Sequence, residues 1–457
     1  MRIKFEIDLT AIWSRIVDIA RQFNIGHFLL LYFAAHMLQI AFPSDGSMIF
    51  DEAHYIPASL KTLEWQGANA EHPPLPKMVG AIGIWLLGNN WFGWRFPQVV
   101  MQVAVLYLFY LIARRFSGER WALAGTMILG FDTIFFIHGG ALLIDMPSFL
   151  FGLLALELYF RKRYNWSAAS MGLGFLAREM SIFYFAALGV YHLTKNWRTV
   201  KPMLKLGLRY TLIALVVFGS LLWWYDLQFQ VYSGMSVTSM VSQNIVLGPS
   251  TTGNTTGLVP VTTIIKTVQL TSKEMVWNPV QHVLFIWHYH GPTGMVIPTS
   301  TQPWTYPWNW ILPTAPWDAP TYFRVDVAVS AGAESKHYIP IWYLAQPNLF
   351  LWYSFIPVIA GLVWLWRRQP TKHPQIAFVL AGLLVNFLPW VISRLLWERL
   401  GFNYYMIWAL PYVACGLAMV CSNLPPRFAK VGKLIMIIGV IYSVASFIWF
   451  FPVRPMP

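Results

Sequence analysis

Between Phe50 and Lys77 the chain reads FDEAHYIPASLKTLEWQGANAEHPPLPK. This stretch concentrates Asp51, Glu52, His54, Glu64, Glu71, His72 and Lys77. Adjacent carboxylates followed by imidazoles can remove a proton from a hydroxyl, because a positioned carboxylate or histidine serves as a general base. A carboxylate with imidazoles can also ligate a divalent metal. The concentration stands out because only 11% of the 457 residues are charged. Long apolar segments flank it on both sides.

Those apolar segments must position the polar island. Hydrophobic residues make up 57% of the chain, well above a soluble domain of ordinary composition. Aromatic residues reach 17%, with 24 Trp, which fits many membrane–water interfaces. The expected class is an all-α polytopic membrane protein. The net charge of +13 lacks basic runs interleaved with aromatics, so it does not form a nucleic-acid footprint. Cys415 and Cys421 lie in one apolar helix on different faces and predict no disulfide.

The hydropathy pattern predicts about eleven spans, each near the ~20 residues needed to cross. They fall near 27–43, 95–113, 121–137, 140–160, 166–177, 180–194, 206–226, 347–366, 375–393, 403–422 and 433–451. Residues 1–26 read as an amphipathic helix on the cytoplasmic surface. Residues 27–226 hold seven spans and a first outer loop, 43–94, with two helices too short to cross. Residues 227–346 form a second large outer loop, and 347–457 hold the last four spans. Most of the 32 Lys and Arg fall on short loops of one side: Arg114 to Arg120, Arg161 to Arg163, Lys195 to Arg209, Arg367 to Lys372 and Arg427 to Lys433. That side is cytoplasmic by the positive-inside rule.

The other side collects the unusual polar groups. Asp132, His138, Asp145, Arg95, Arg178, Glu179, Arg394, Glu398 and Arg399 all lie at outer turns or span ends, with the island. Each has a plain structural reading. Asp132 can cap a helix, Arg178 and Glu179 can pair with each other, and Asp51 and Glu52 can favour a helix dipole. None of these readings explains why the groups share one side, which argues for a site at the outer interface.

The motifs then resemble a known family. Phe50-Asp51-Glu52-Ala53-His54-Tyr55, Glu71-His72-Pro73-Pro74-Leu75-Pro76-Lys77 and Phe92-Gly93-Trp94-Arg95-Phe96 are similar to the first-loop motifs of protein O-mannosyltransferases, glycosyltransferase family 39. Ala141-Leu142-Leu143-Ile144-Asp145, Trp287-His288-Tyr289-His290, Gln302 to Trp308, Leu388-Pro389-Trp390 and Arg399 to Tyr412 continue the resemblance in order. The resemblance spans nearly the whole chain. It implies the GT-C glycosyltransferase fold, a polyprenyl- or dolichyl-phosphate sugar donor and a protein acceptor. It also implies a catalytic acidic pair, Asp51 with Glu52, in which Asp51 is the base. Two departures are visible: Gly139-Gly140 stand where the family often has Arg, and Arg178-Glu179 where it often has Lys-Trp.

A sugar phosphate already carries a good leaving group, so one base on the opposite face suffices. This is half of the two-carboxylate inverting scheme. Arg95, Arg178 and Arg399 are the candidates for the donor phosphate, since guanidinium forks suit it. His54, Glu71, His72, Asp145, His290 and Trp304 are candidates for the substrate and acceptor pocket. Aminoarabinose transferases share the fold, and by that resemblance Glu71 with His288 or His290 is a candidate metal set. No cofactor other than such a divalent metal is implied. The expected function is transfer of mannose, or a related hexose, to Ser/Thr hydroxyls outside the plasma membrane. The alternatives are a lipid or glycan acceptor, or a transporter, which should show paired repeats and broken helices at mid-membrane.

The charge division predicts the topology directly. Single cysteines placed within 232–275 should react with an impermeant thiol reagent on intact cells. Those within 161–165 should react only after permeabilisation, and the reverse pattern would overturn the orientation.

Overall fold

The computed structural model describes residues 22–42, 48–196, 198–229, 278–290, 306–311, 341–343, 346–397 and 401–455. The surface helix expected over 1–26 lies outside them up to residue 21, as does the Ser- and Thr-rich start of the second loop.

The chain is a multi-pass membrane protein of packed helices. Among the described residues, four helices are long and apolar enough to cross a membrane: Trp91–Ser117, Val200–Gln228, Pro370–Trp397 and Pro426–Trp449. Shorter helices occupy the other expected spans, among them Ile25–Ile40, Asp145–Phe160, Tyr164–Ala177, Ser181–Asn196, Phe355–Arg368 and Leu410–Ser422. Exposed Trp85, Leu208, Val216, Ile441 and Trp449 ring the outside, as expected where lipid rather than water is the solvent. The all-α expectation holds, with one short ribbon beside the helices: Ile341–Tyr343 pairs antiparallel with Val453–Pro455.

Local chemistry sets the helix starts. Asn24 caps the first helix, accepting from the Gly26 and His27 amides. Asn90 does the same for Trp91–Ser117, accepting from Phe92 and Gly93. Such caps satisfy amides that the helix itself leaves open. Arg114 and Arg115 close the latter helix at its C-terminus, where the dipole favours cations. Arg115 also reaches buried Glu157, which accepts from Arg161 as well. This paired carboxylate at the inner end of Asp145–Phe160 escaped the sequence reading.

The expected span 121–137 is two helices, Glu119–Gly130 and Thr133–Gly140, bent by 73°. Asp132 makes the break. It caps the second helix through the Phe135 amide at 2.9 Å, and its other oxygen accepts from the Asn348 amide and Trp352 Nε1, both at 2.8 Å. The capping reading of Asp132 therefore holds. The bent helix brings 141–145 to the first-loop helices Glu52–Leu63 and Leu75–Leu87. Its last turn lies against two glutamines. A side chain at Gly139 would collide with Gln102, and one at Gly140 with Gln39.

The core runs from Phe28 and Tyr32 through Phe136 and Phe149 to Trp352 and Trp408. Phe149 stacks on Trp408 at 4.3 Å. Both cysteines are free and buried, as expected.

The Gly139 contact generates a test. Gly139→Ala should destabilise the protein by about 1–3 kcal/mol, the usual cost of overpacking. Adding Gln102→Ala should return part of that loss in a thermal-unfolding assay in detergent. An unchanged melting temperature for Gly139→Ala would show that the close packing is absent.

Candidate functional site

The site is built on a buried ion pair. Arg95 Nε donates to Glu52 Oε1 at 2.9 Å and Arg95 Nη2 to Oε2 at 2.8 Å. Both side chains are 0% exposed. Glu52 also accepts from the Ile49 amide at 2.7 Å and the Leu142 amide at 3.0 Å. Arg95 Nη1 reaches the carbonyls of Ile40 and Phe42. One pair thus joins the first helix, the first loop, the start of Trp91–Ser117 and the turn after the bent helix. This placement departs from the expectation that Arg95 meets a donor phosphate and Glu52 shares the chemistry. Each is engaged by the other.

Asp51 is placed differently. It precedes helix Glu52–Leu63, follows Phe50 at a positive φ of 51°, and makes no cap hydrogen bond. Positive φ in a bulky residue is strained and favours functional positions. Among the described residues no hydrogen bond or ion pair engages the Asp51 carboxylate. Burial pushes its pKa up from the ordinary carboxylate range, while the nearby charges of His54, His72 and Arg178 oppose the rise.

A second charged group lies beside it. Asp145 starts helix Asp145–Phe160, pairs with His138 Nδ1 at 2.9 Å and accepts from Arg178 Nη1. Arg178 sits in the turn between Tyr164–Ala177 and Ser181–Asn196, with its guanidinium 5.6 Å over the Trp408 ring. Burial opposes its charge, but Asp145 and Glu179 outweigh that and hold it above the ordinary guanidinium value. Glu179 stands 3.6 Å from Arg178 Nε, 3.8 Å from His72 Nδ1 and 4.0 Å from His290 Nε2. Burial would raise Glu179, yet His290, His72 and Arg178 together hold it well below its usual range.

Helix Pro279–His290 lies against the first loop through two imidazoles. His282 bonds Asp226 at 2.8 Å and the Ala70 carbonyl at 3.0 Å, and His290 bonds the Glu71 carbonyl at 3.0 Å. Lys77 donates to the carbonyls of Asn69 and His72, and burial pulls its pKa down to about 8. Asp226 and His282 were missed in the sequence. The signal was there, since Asp226 is the one acid in helix Val200–Gln228.

Of the expected site residues, the fold gathers Asp51, His54, His72, Asp145, Arg178 and His290. The Glu71 carboxylate accepts from Asn69 at 2.7 Å, and only its backbone carbonyl meets His290. Among the described residues, the groups close enough together to share an ion are His72, Glu179 and His290. Trp304, Arg399 and the side chain of His288 lie outside the described residues.

Residues 71–224 match the family model described as dolichyl-phosphate-mannose-protein mannosyltransferase. A polyprenol-phosphate-mannose–protein mannosyltransferase of Mycolicibacterium smegmatis is 22% identical over 97% of this chain and 88% of its own length. The protein of the same description from Mycobacterium tuberculosis is 25% identical over 89% and 83%. In fold, the chain is similar to the S. cerevisiae protein O-mannosyltransferase complex bound to its sugar donor. The TM-score is 0.65 at 12% identity, covering 94% of this chain and 89% of that one.

The buried pair gives a prediction that separates structure from ligand binding. Arg95→Met strands the Glu52 carboxylate and should cost about 3–5 kcal/mol in thermal stability. Glu52→Gln in the same background should recover part of it. A contact to the donor phosphate would instead weaken donor binding at unchanged stability, and that result would reverse the assignment.

Proposed function

We propose that this chain, a member of the protein O-mannosyltransferase family, is an inverting enzyme that moves mannose from polyprenyl phosphate to Ser or Thr hydroxyls of proteins. The supporting observation is the Asp51 carboxylate, unengaged among the described residues and close enough to Arg178 to feel its charge. A base without a partner can take a proton, and a fixed cation beside it can hold the phosphate that leaves.

The step balances as follows. The acceptor oxygen attacks C1 of the sugar as Asp51 removes the hydroxyl proton. The new C–O bond forms while the bond from C1 to the phosphate oxygen breaks. Polyprenyl phosphate leaves with the electron pair, and the proton stays on Asp51 until water collects it. Arg178 is the donor-phosphate residue in this reading. Asp145 and the Trp408 face fix its guanidinium, and planar forks suit phosphate oxygens. His54, three residues beyond Asp51 on the same helix turn, favours the ionised base. Glu52 keeps Asp51 in place through Arg95. The apolar outer surface of the helices takes the polyprenyl tail. The site faces outward across the plasma membrane, because the basic loops define the opposite side.

Asp51→Asn keeps shape and removes the base. Transfer of radiolabelled mannose from polyprenyl phosphate to a Ser/Thr peptide should fall roughly 10²–10⁴-fold in detergent, with donor binding retained. In the native protein the base is ionised only above its raised pKa. Activity should therefore be lost, as pH falls, above the ~3.9 of an ordinary aspartate. Transfer at the native rate by Asp51→Asn would reject the assignment. Label recovered in lipid or glycan, and none in peptide, would change the acceptor.

A further inference from the structure

We infer that His72, Glu179 and His290 form a binding site for one divalent transition-metal ion. The three come from separate segments: the first outer loop, the turn between Tyr164–Ala177 and Ser181–Asn196, and the end of helix Pro279–His290. Their ligand atoms all lie within 4.8 Å of one another. The separations from Glu179, 3.8 Å to His72 Nδ1 and 4.0 Å to His290 Nε2, are too long for hydrogen bonds. They suit ligands of a shared ion. Metal bonds of about 2.0–2.2 Å to nitrogen and oxygen need only a small closure of the ring.

The second observation is the set of polar atoms left over. His72 Nδ1 and both Glu179 carboxylate oxygens are buried without a hydrogen bond. Buried polar atoms ordinarily find partners, and a carboxylate with both oxygens unbonded is a strong demand for a cation. Arg178 Nε offers charge at 3.6 Å but is too far to donate, while its Nη1 donates to Asp145. Lys77 Nζ anchors the His72 carbonyl at 2.8 Å and so holds one ligand residue in place. His290 Nε2 meets the Glu71 carbonyl at 3.0 Å. Binding through Nε2 exchanges that hydrogen bond for a metal bond and leaves the Glu71 carbonyl beside the ion.

Two imidazoles and one carboxylate suit zinc, manganese, cobalt or iron in the divalent state. Three protein ligands leave an open position for water or another oxygen. The ion would cross-link both outer loops to the Arg178 turn, and its open position would offer a donor phosphate oxygen a second cation. Only that last role rests on the proposed sugar transfer. The alternative is a metal-free cluster in which protonated imidazoles neutralise Glu179.

The test is metal content, which does not depend on activity. The full chain is purified in detergent, stripped with chelator, loaded with zinc or manganese, desalted and assayed by elemental analysis. The native protein should retain about one equivalent, and binding should strengthen as pH rises because the imidazoles must be neutral. Glu179→Gln and His290→Gln should lose most of it while melting as cooperatively as the native protein. Glu71→Gln should keep it. Cobalt loading gives a second reading, a visible absorption that the Glu179 variant lacks. Negligible metal in the native protein after loading, or full retention in both ligand variants, would overturn the site. Mannose transfer by metal-free protein would leave the sugar reading standing, and metal retention without transfer would do the converse.

Discussion

The arrangement depends on one interaction, the buried ion pair of Arg95 and Glu52. Neither group could be buried alone, because an unpaired charge in a low-dielectric interior costs several kcal/mol. Together they meet two backbone amides and two carbonyls, so their hydrogen-bonding capacity is largely used inside the protein. The pair therefore does more than neutralise charge. It pins four segments to one point and leaves the preceding residue, Asp51, outside the pair and beside Asp145 and Arg178. Two adjacent acids acquire opposite fates because helix geometry turns one inward and holds the other at the N-terminal edge.

The same economy of buried polar groups shapes the rest of the outer half. Asp132 satisfies a helix start, a distant amide and an indole at once, and the helix bends where it sits. Asp145 holds His138 and Arg178. Asp226 holds His282, which in turn reaches the first loop. Each acid joins segments far apart in sequence, so these buried charges serve assembly. Among the described residues, the groups that assembly leaves over include the Asp51 carboxylate, His72 Nδ1 and both Glu179 oxygens. A chemical role is most economically sought in that remainder.

Much of this was legible in the chain. The two short helices expected in the first loop, near 52–65 and 75–88, are Glu52–Leu63 and Leu75–Leu87, and the break at Arg178 and Glu179 divides two helices as expected. The bend at Asp132 was not legible, since residues 121–137 read as one uninterrupted apolar run. A polar residue inside such a run signals either a cap or a buried partner, and only the distant Asn348 and Trp352 decide which. The role of Arg95 was misjudged for a related reason. A guanidinium at a span end looks available in sequence, and its partner is 43 positions away.

Sequence alone determined the class, and it set the expectations for the orientation and the region of the site. Those follow from the density of apolar residues, the distribution of Lys and Arg and the motifs of the first loop, all of which act locally or as sums. Tertiary structure decided which charges remain available for chemistry. Burial forces each ionisable group to find a partner, partners are chosen by proximity in space, and proximity between 52 and 95, 145 and 178, or 72, 179 and 290 exists only after the helices have packed.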